Sequence, residues 1–306
     1  MARHYLSVDD LAPSELVGLL ELSGKVKADP AAYAERLHGR SVALVFEKPS
    51  TRTRVSFEVG VAELGAHPLV ISSTDLQLGR GETIEDTARV LSRYVDAIVL
   101  RTFEQERLEL LASASSVPVV NSLSDFEHPC QALADLFTIR ERLGGPEGRT
   151  LAYFGDGNNV AHSLLLAGAK VGMQVRVATP PGFEPIPQVV KRANEIAAET
   201  GGSVDVLRDP VDAATGADIL YTDVWASMGQ ENEADERELV FRGYQLDGSL
   251  VDLAAPGAIV MHCLPAHRGM EISADVIDGP RSAVWDQAEN RLHTQKALML
   301  FLFDLA

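Results

Sequence analysis

Short apolar, β-branched runs alternate with longer helical patterns along the whole chain, and this alternation limits the fold more than any other feature. SVALVF (41–46), PLVIS (68–72), AIVLR (97–101) and VPVVN (117–121) read as strands in the first half. A helix-prone lead covers about 7–27, and helical patterns follow the strands near 52–64, 83–94, 104–114 and 129–143. The second half repeats the order, with TLAYF (150–154), QVRVA (174–178), SVDVL (203–207), DILYT (218–222) and AIVMH (258–262) as strands. Helices fit near 160–171, 187–200 and 289–303. Such βα repeats fold as parallel sheets joined by right-handed crossovers. LGGPEGR (143–149) is the best linker. The expected architecture is therefore α/β with two domains, each a parallel β-sheet flanked by helices in the Rossmann-like manner. They would span 1–143 and 150–288, with a C-terminal helix at 289–306 completing the first. The 306 residues agree with a prior of ~150 per domain. The polar stretch 223–244 reads as a long loop, and loops of that length often serve as lids.

Charge and cysteine content narrow the class. Asp plus Glu number 44 against 27 Lys plus Arg, a formal charge of −17. A chain this acidic is a poor partner for nucleic acid or an anionic membrane, although a few converging Arg residues can still bind a small anion. No apolar run reaches the ~18 residues of a membrane-spanning helix. The opening MARHYLSVDDLAPSEL has no basic segment followed by an apolar one, so no secretory signal is expected. The two cysteines, Cys130 and Cys263, make neither a disulfide framework nor a Cys-rich zinc module, and the expected compartment is the reducing cytoplasm.

In open parallel sheets ligands bind beyond the carboxyl ends of the strands, and the chemically distinctive residues of this chain fall there. Ser50-Thr51-Arg52-Thr53-Arg54 follows the first strand. Hydroxyls and backbone N–H groups at a helix start form an anion nest, and Arg adds a planar fork that matches phosphate oxygens. A plain N-cap with solvated arginines is the bland alternative. Two Arg and three hydroxyls in five residues favour the anion site. No GxxxxGK[ST] precedes the segment, which disfavours nucleotide hydrolysis. Arg101 ends a strand and suits an oxyanion. His128-Pro129-Cys130-Gln131 opens a helix, where His could donate to a carbonyl and Gln could hold an amide; a Pro-started helix with a capping His reads equally well. Gly155-Asp156-Gly157-Asn158-Asn159 resembles half a dinucleotide fingerprint, but Val160 replaces its third Gly and no ribose-binding acid follows the next strand. It reads instead as a loop presenting Asn159 to a substrate. Asp223 and Cys263 each follow a strand and could form a polarised thiol–carboxylate pair, while a lone Cys is as readily a small buried hydrophobe. The spacing predicts no metal and no cofactor. Two half-sites facing one another across an interdomain cleft are the natural inference.

Taken together, FEKPSTRTR (46–54), HPCQ (128–131), DVWASMGQE (223–231) and HCLPAHRG (262–269) resemble the signature set of the ornithine carbamoyltransferases. The resemblance runs over essentially the whole chain in the expected order, and the GDGNN and Gln77 loops agree with it. HCLP stands where the aspartate branch typically carries HPLP. The resemblance implies transfer of a carbamoyl group from carbamoyl phosphate to L-ornithine, giving citrulline and phosphate in arginine metabolism. It implies that Ser50, Thr51, Arg52 and Thr53 hold the phosphate, and that Arg101, His128 and Gln131 hold the carbamoyl end. Gln77 would reach the carbamoyl phosphate of a neighbouring subunit in a homotrimer with shared sites. Asn159, Asp223, Ser227 and Met228 would bind ornithine. Cys263 and Leu264 would lie beside its side-chain amine, and Arg291 would close on the carbamoyl group.

Overall fold

A computed structural model of the chain describes residues 2–72, 81–226, 232 and 234–305. They divide into two units, one of Met1–Phe137 with Asn290–Ala306 and one of Thr138–Glu289.

The first unit runs α1 (Pro13–Ala28), β1 (Ser41–Phe46), α2 (Thr51–Glu63), β2 (His67–Ser72), α3 (Ile84–Leu91), β3 (Ala97–Arg101), α4 (Gln105–Ala114) and β4 (Val119–Leu123), and α5 (Pro129–Leu143) begins in it. Its described strands pair in parallel in the order β2-β1-β3-β4. β1 and β3 are apolar because the sheet buries both of their faces: Ala97–Arg101 is buried throughout, and β1 from its second residue on. β2, at the edge, is partly exposed. One core cluster packs Ala43, Val45, Ile98 and Leu100 against Ala88 of α3 and Leu108 and Leu111 of α4. The chain leaves β1 towards β2 on one side, and β3 lies on the other. The order therefore reverses between β1 and β3, opening a crevice at their carboxyl ends.

The second unit runs β5 (Thr150–Phe154), α6 (Asn159–Lys170), β6 (Gln174–Ala178), α7 (Pro187–Thr200), β7 (Ser203–Leu207), α8 (Pro210–Ala214), β8 (Ile219–Thr222), α9 (Ala234–Phe241), α10 (Gly248–Val251), β9 (Ile259–His262) and α11 (Ala274–Ile277). The last helix, α12 (Val284–Leu302), starts in this unit and ends in the first. The order is β7-β6-β5-β8-β9, again all parallel, so the reversal falls between β5 and β8. α6 is buried from Val160 to Lys170, which explains its apolar sequence.

Two parallel-sheet α/β domains are thus present as the βα repeat implied. Local details differ. The lead at 7–27 is not one helix. Ser7 and Asp10 form a capping box around a 3-10 turn, Val8–Asp10, and Pro13 starts α1 afresh because it needs no N–H partner there. The stretch 223–244 is not loop throughout either. It contains α9 and a 3-10 turn, Arg242–Tyr244, pinned by fully buried Phe241, whose ring lies 4.7 Å from Phe183 and 6.1 Å from Trp225. α12 begins at Val284, before the expected 289. No described helix is long and apolar enough to cross a membrane.

Candidate active site

In the first unit the site grows from the two strands that flank the reversal. Ser50 caps α2 and accepts a hydrogen bond from the Thr53 N–H at 3.3 Å. Its backbone is extended, so the free N–H groups of the first turn are presented at a positive helix end. Arg52 on that turn is exposed, while Thr53 is buried. Arg101 ends β3, buried, where the β3–β4 register shifts. His128, just ahead of α5, is buried as well. Burial holds its imidazole well below the ordinary histidine range, and the positive charges of Arg291, Arg101 and Arg52 push the same way. His128 is therefore neutral, and one ring nitrogen can donate to a carbonyl without carrying charge.

Arg291 reaches this cluster from α12. Gly60 of α2 makes the approach possible, since a Cβ there would lie 3.1 Å from Lys296 Cγ and 3.3 Å from Leu292 Cδ1. One Arg291 nitrogen donates to Gln131 Oε1 at 2.7 Å and the other to Thr53 Oγ1 at 3.1 Å. Gln131 Nε2 in turn donates to Asp135 Oδ1 at 2.8 Å. Asp135 is fully buried and orients the amide so that its oxygen faces Arg291. Cys130, between these residues, is structural. Its thiol donates to the Asn121 carbonyl, and burial pushes it up to about 12.

In the second unit Asp223 follows β8 and is buried. One carboxylate oxygen accepts from Cys263 Sγ at 2.9 Å and the other from Asn158 Nδ2 at 2.9 Å. Asn158 also caps α6, its Oδ1 accepting from Val160 and Ala161 N–H. The cap that begins the helix thus fixes the carboxylate. Cys263 sits in a turn built by buried groups. Leu264, at φ 59, donates its N–H to His262 Nδ1 at 2.8 Å, and His262 Nε2 lies 3.1 Å from Glu271. Glu271 also accepts from the His267 N–H at 2.5 Å. The donor atoms of Asp223, His262 and Cys263 lie within 4.8 Å of one another, so the pairing of Asp223 with Cys263 expected from their places after strands is joined by His262. Both ring nitrogens of His262 are already engaged, which leaves Asp223 and Cys263 as a thiol–carboxylate pair.

The glycine loop after β5 serves packing. A Cβ on Gly157 would lie 2.2 Å from Pro185 N, so chain backbone fills the space that a pyrophosphate takes in a dinucleotide site.

Of the residues singled out in the sequence, Thr53, Gln131 and Arg291 are joined by hydrogen bonds, with Arg52 and Arg101 acting on His128. Asp223 and Cys263 are joined in the second unit. Asn159 is the first residue of α6, next to the Asn158 that touches Asp223. Gln77, Ser227 and Met228 lie outside the described residues. Sequence reasoning missed Asp135 and Glu271, acidic residues in apolar surroundings, and passed over Asn158 for its neighbour.

A parallel-sheet scaffold with guanidinium groups gathered about a neutral imidazole in one unit, and with a thiol–carboxylate pair in the other, is an α/β arrangement suited to an enzyme that handles an oxyanionic ligand. Residues 3–141 match the family model described as the carbamoyl-P binding domain of aspartate/ornithine carbamoyltransferase, and residues 147–302 match its Asp/Orn binding domain. The chain belongs to the aspartate/ornithine carbamoyltransferase family, and its relatives place it in the ornithine branch. It is 66% identical to the ornithine carbamoyltransferase of Parafrankia sp., over 99% of this chain and 96% of that one. It is 55% identical to the anabolic ornithine carbamoyltransferase of Pyrococcus furiosus, over 97% and 95% of the two chains. The solved structure of ornithine carbamoyltransferase from Pyrococcus furiosus superposes with a TM-score of 0.95 at 55% identity, covering 98% of this chain and 96% of that one.

Proposed function

We propose that this chain transfers the carbamoyl group of carbamoyl phosphate to the side-chain amine of L-ornithine, giving L-citrulline and phosphate in the course of arginine biosynthesis. The observation that carries the donor half is the convergence of Arg52, Arg101 and Arg291 on a buried neutral His128 beside the start of α2. We assign the phosphate to Ser50, Thr51, Arg52 and Thr53, and the carbamoyl end to Arg101, His128, Gln131 and Arg291. Gln77 is assigned to the same ligand from a neighbouring copy. The acceptor is assigned to the second unit: Asn159, Ser227 and Met228 to the amino-acid end, and Asp223, Cys263 and Leu264 to the reacting amine.

In water the side-chain amine of ornithine is protonated, near the ~10.4 of lysine, and it releases that first proton to solvent on entering the site. Desolvation favours the neutral form, and Asp223 with Cys263 orients it. The nitrogen lone pair attacks the carbamoyl carbon. Negative charge grows on the carbonyl oxygen, where the Arg101 guanidinium and the His128 N–H donate to it. A preorganised donor of this kind contributes roughly 3–4 kcal/mol. The C–O bond to phosphate then breaks. Because a phosphate trianion is strongly basic, the departing group takes the proton that the new C–N bond releases. Phosphate remains in the nest of α2 until it dissociates. Carbon, nitrogen and phosphorus keep their oxidation states, so the balance requires no cofactor.

A homotrimer with shared sites fits this assignment. Val55 and Val59 of α2 and Leu69 of the edge strand β2 are exposed apolar side chains in the first unit, suited to burial against a second copy. Cys130 and Cys263, neither of them in a disulfide, fit a reducing cytoplasm. The test is carbamoylation of ornithine, putrescine, acetylornithine and aspartate in parallel, together with the mass in solution. Turnover with ornithine alone, at three times the 33.0 kDa chain mass, is the expected result. Turnover with another amine overturns the acceptor assignment, and a monomer that is fully active overturns the shared site.

A further inference from the structure

Three loops of the first unit hold the donor residues: the one after β1 leads to Ser50–Thr53, the one after β3 follows Arg101, and the one after β4 carries His128. Two consecutive residues of opposite charge, Glu47 and Lys48, tie the first loop to the other two. The Glu47 carboxylate accepts from the Thr102 hydroxyl and from Arg107 in bidentate fashion, at 3.1 Å and 2.5 Å. Its backbone N–H donates to the Arg101 carbonyl at 2.9 Å. Lys48, only 5% exposed, ion-pairs with Asp125 and lies 4.3 Å from the centre of the Phe103 ring. The circuit closes through backbone, with Thr102 N–H donating to Leu123 O at 3.0 Å and Asp125 N–H to Phe103 O at 2.7 Å.

A buried Lys held by one carboxylate does not wander, and a bidentate Arg–carboxylate pair fixes angle as well as distance. We propose that Glu47 and Lys48 are positioning residues. They set the spacing between the phosphate nest of α2 and the carbonyl-polarising pair Arg101 and His128, so that one donor molecule spans both. Neither touches substrate. The proposal rests on the assignment of Ser50–Thr53 to phosphate given above.

Asp125 offers the cleanest perturbation, because its side chain is 59% exposed and its loss does not threaten the core. Asp125→Asn leaves Lys48 without its counter-charge. The expected result is a folded variant with a Tm a few degrees below the parent's, because buried Lys48 loses its partner, a carbamoyl phosphate KM raised about tenfold, and an ornithine KM unchanged. Asp125→Glu restores the charge and recovers most of the loss. Arg107→Gln, on the other arm, reproduces the same split between the two KM values. A carbamoyl phosphate KM unmoved in Asp125→Asn, or both KM values rising together, overturns the proposal. Arg52→Ala, run alongside, separates the two levels. If it leaves the carbamoyl phosphate KM unchanged, the phosphate assignment itself fails. If it raises that KM while Asp125→Asn does not, only the positioning role fails.

Discussion

Asp223→Asn isolates the acceptor half of the site with a change of one atom. In the parent, each carboxylate oxygen accepts one donor, the Cys263 thiol at 2.9 Å and the Asn158 amide at 2.9 Å. An amide has one accepting atom and one donating group. In either orientation, the variant turns an NH2 towards one of those donors and loses that hydrogen bond. A bond to a charged acceptor contributes about 1.5–3 kcal/mol. The variant also loses the negative charge that would face the ornithine amine, and a close, partly desolvated charge pair adds a similar amount. Together they give about 3–6 kcal/mol in the transition state, or roughly 10²–10⁴-fold in kcat/KM for ornithine. Folding should change little, since removing a buried charge relieves a desolvation cost of its own. Citrulline colorimetry with ornithine varied at saturating carbamoyl phosphate, then the reverse, measures both constants, with thermal unfolding as the control for structure. The expected pattern is a large loss in kcat/KM for ornithine, an unmoved carbamoyl phosphate KM and a Tm near the parent's. A loss below threefold, or an equal loss on both substrates, would refute the assignment of Asp223 to the amine.

Three further outcomes follow from other parts of the molecule. Below pH ~6.5 the unfolded chain protonates a histidine that folded His128 keeps neutral, so the unfolded state binds more protons. Stability therefore falls as pH drops from 6.5 towards the lowered folded value, and urea unfolding of His128→Asn across that window should show a slope flatter by up to about 1.4 kcal/mol per pH unit. The Arg237–Asp156 pair, 2.7 Å apart and nearly buried, ties α9 to the loop after β5, and Arg237 also donates to the Trp225 carbonyl. Arg237→Met should destabilise the chain by about 3–5 kcal/mol and raise the ornithine KM, read by denaturation and kinetics; unchanged values would deny it that role. Iodoacetamide at pH 7.5 should leave Cys130 unmodified, its thiol being buried and pushed up to about 12, while Cys263 is alkylated and saturating substrates protect it. Peptide mass spectrometry decides the point, and label on Cys130 would contradict its burial.

Central strands were legible because burial on both faces forces an apolar run. Ser41–Phe46, Ala97–Arg101 and Thr150–Phe154 have the bounds that their sequence suggests, and so do the partly buried Gln174–Ala178 and the edge strand Ser203–Leu207, whose apolar residues alternate with polar ones. β4 lies two residues later than VPVVN implied, at Val119–Leu123, since the pattern did not separate Pro118 from the paired residues. α9 was hidden for a different reason. ADERELVF is polar enough to pass for loop, and its place is set by Phe241 and Arg237, whose partners Phe183 and Asp156 are distant in the chain. The same distinction governs the site. Arg101, Asp223 and Cys263 stand at strand ends and His128 just ahead of the helix that follows β4, positions the βα rhythm reveals directly. The groups that aim them do not. Asp135 and Glu271 lie in apolar stretches and the Glu47–Lys48 pair follows a strand, none of them set apart by its neighbours, and only tertiary structure brings them to their partners.

The acidity of the chain sharpens this contrast. At a formal charge of −17 the molecule as a whole repels carbamoyl phosphate. At physiological salt that repulsion fades beyond a screening length of ~8 Å, so binding is decided by charges close to the ligand. That role is the one proposed for Arg52, Arg101 and Arg291, and two of the three are buried, where solvent and salt weaken them least. Holding several cations near one another costs energy. The structure offsets that cost in three ways: a neutral rather than charged His128, the hydrogen bonds of Arg291 to Gln131 and Thr53, and the buried Asp135 behind Gln131. An anion entering this site completes a charge arrangement the fold has already prepared. The amine of the acceptor needs the opposite environment, and it is assigned to Asp223, on a different sheet, at that sheet's own reversal of strand order.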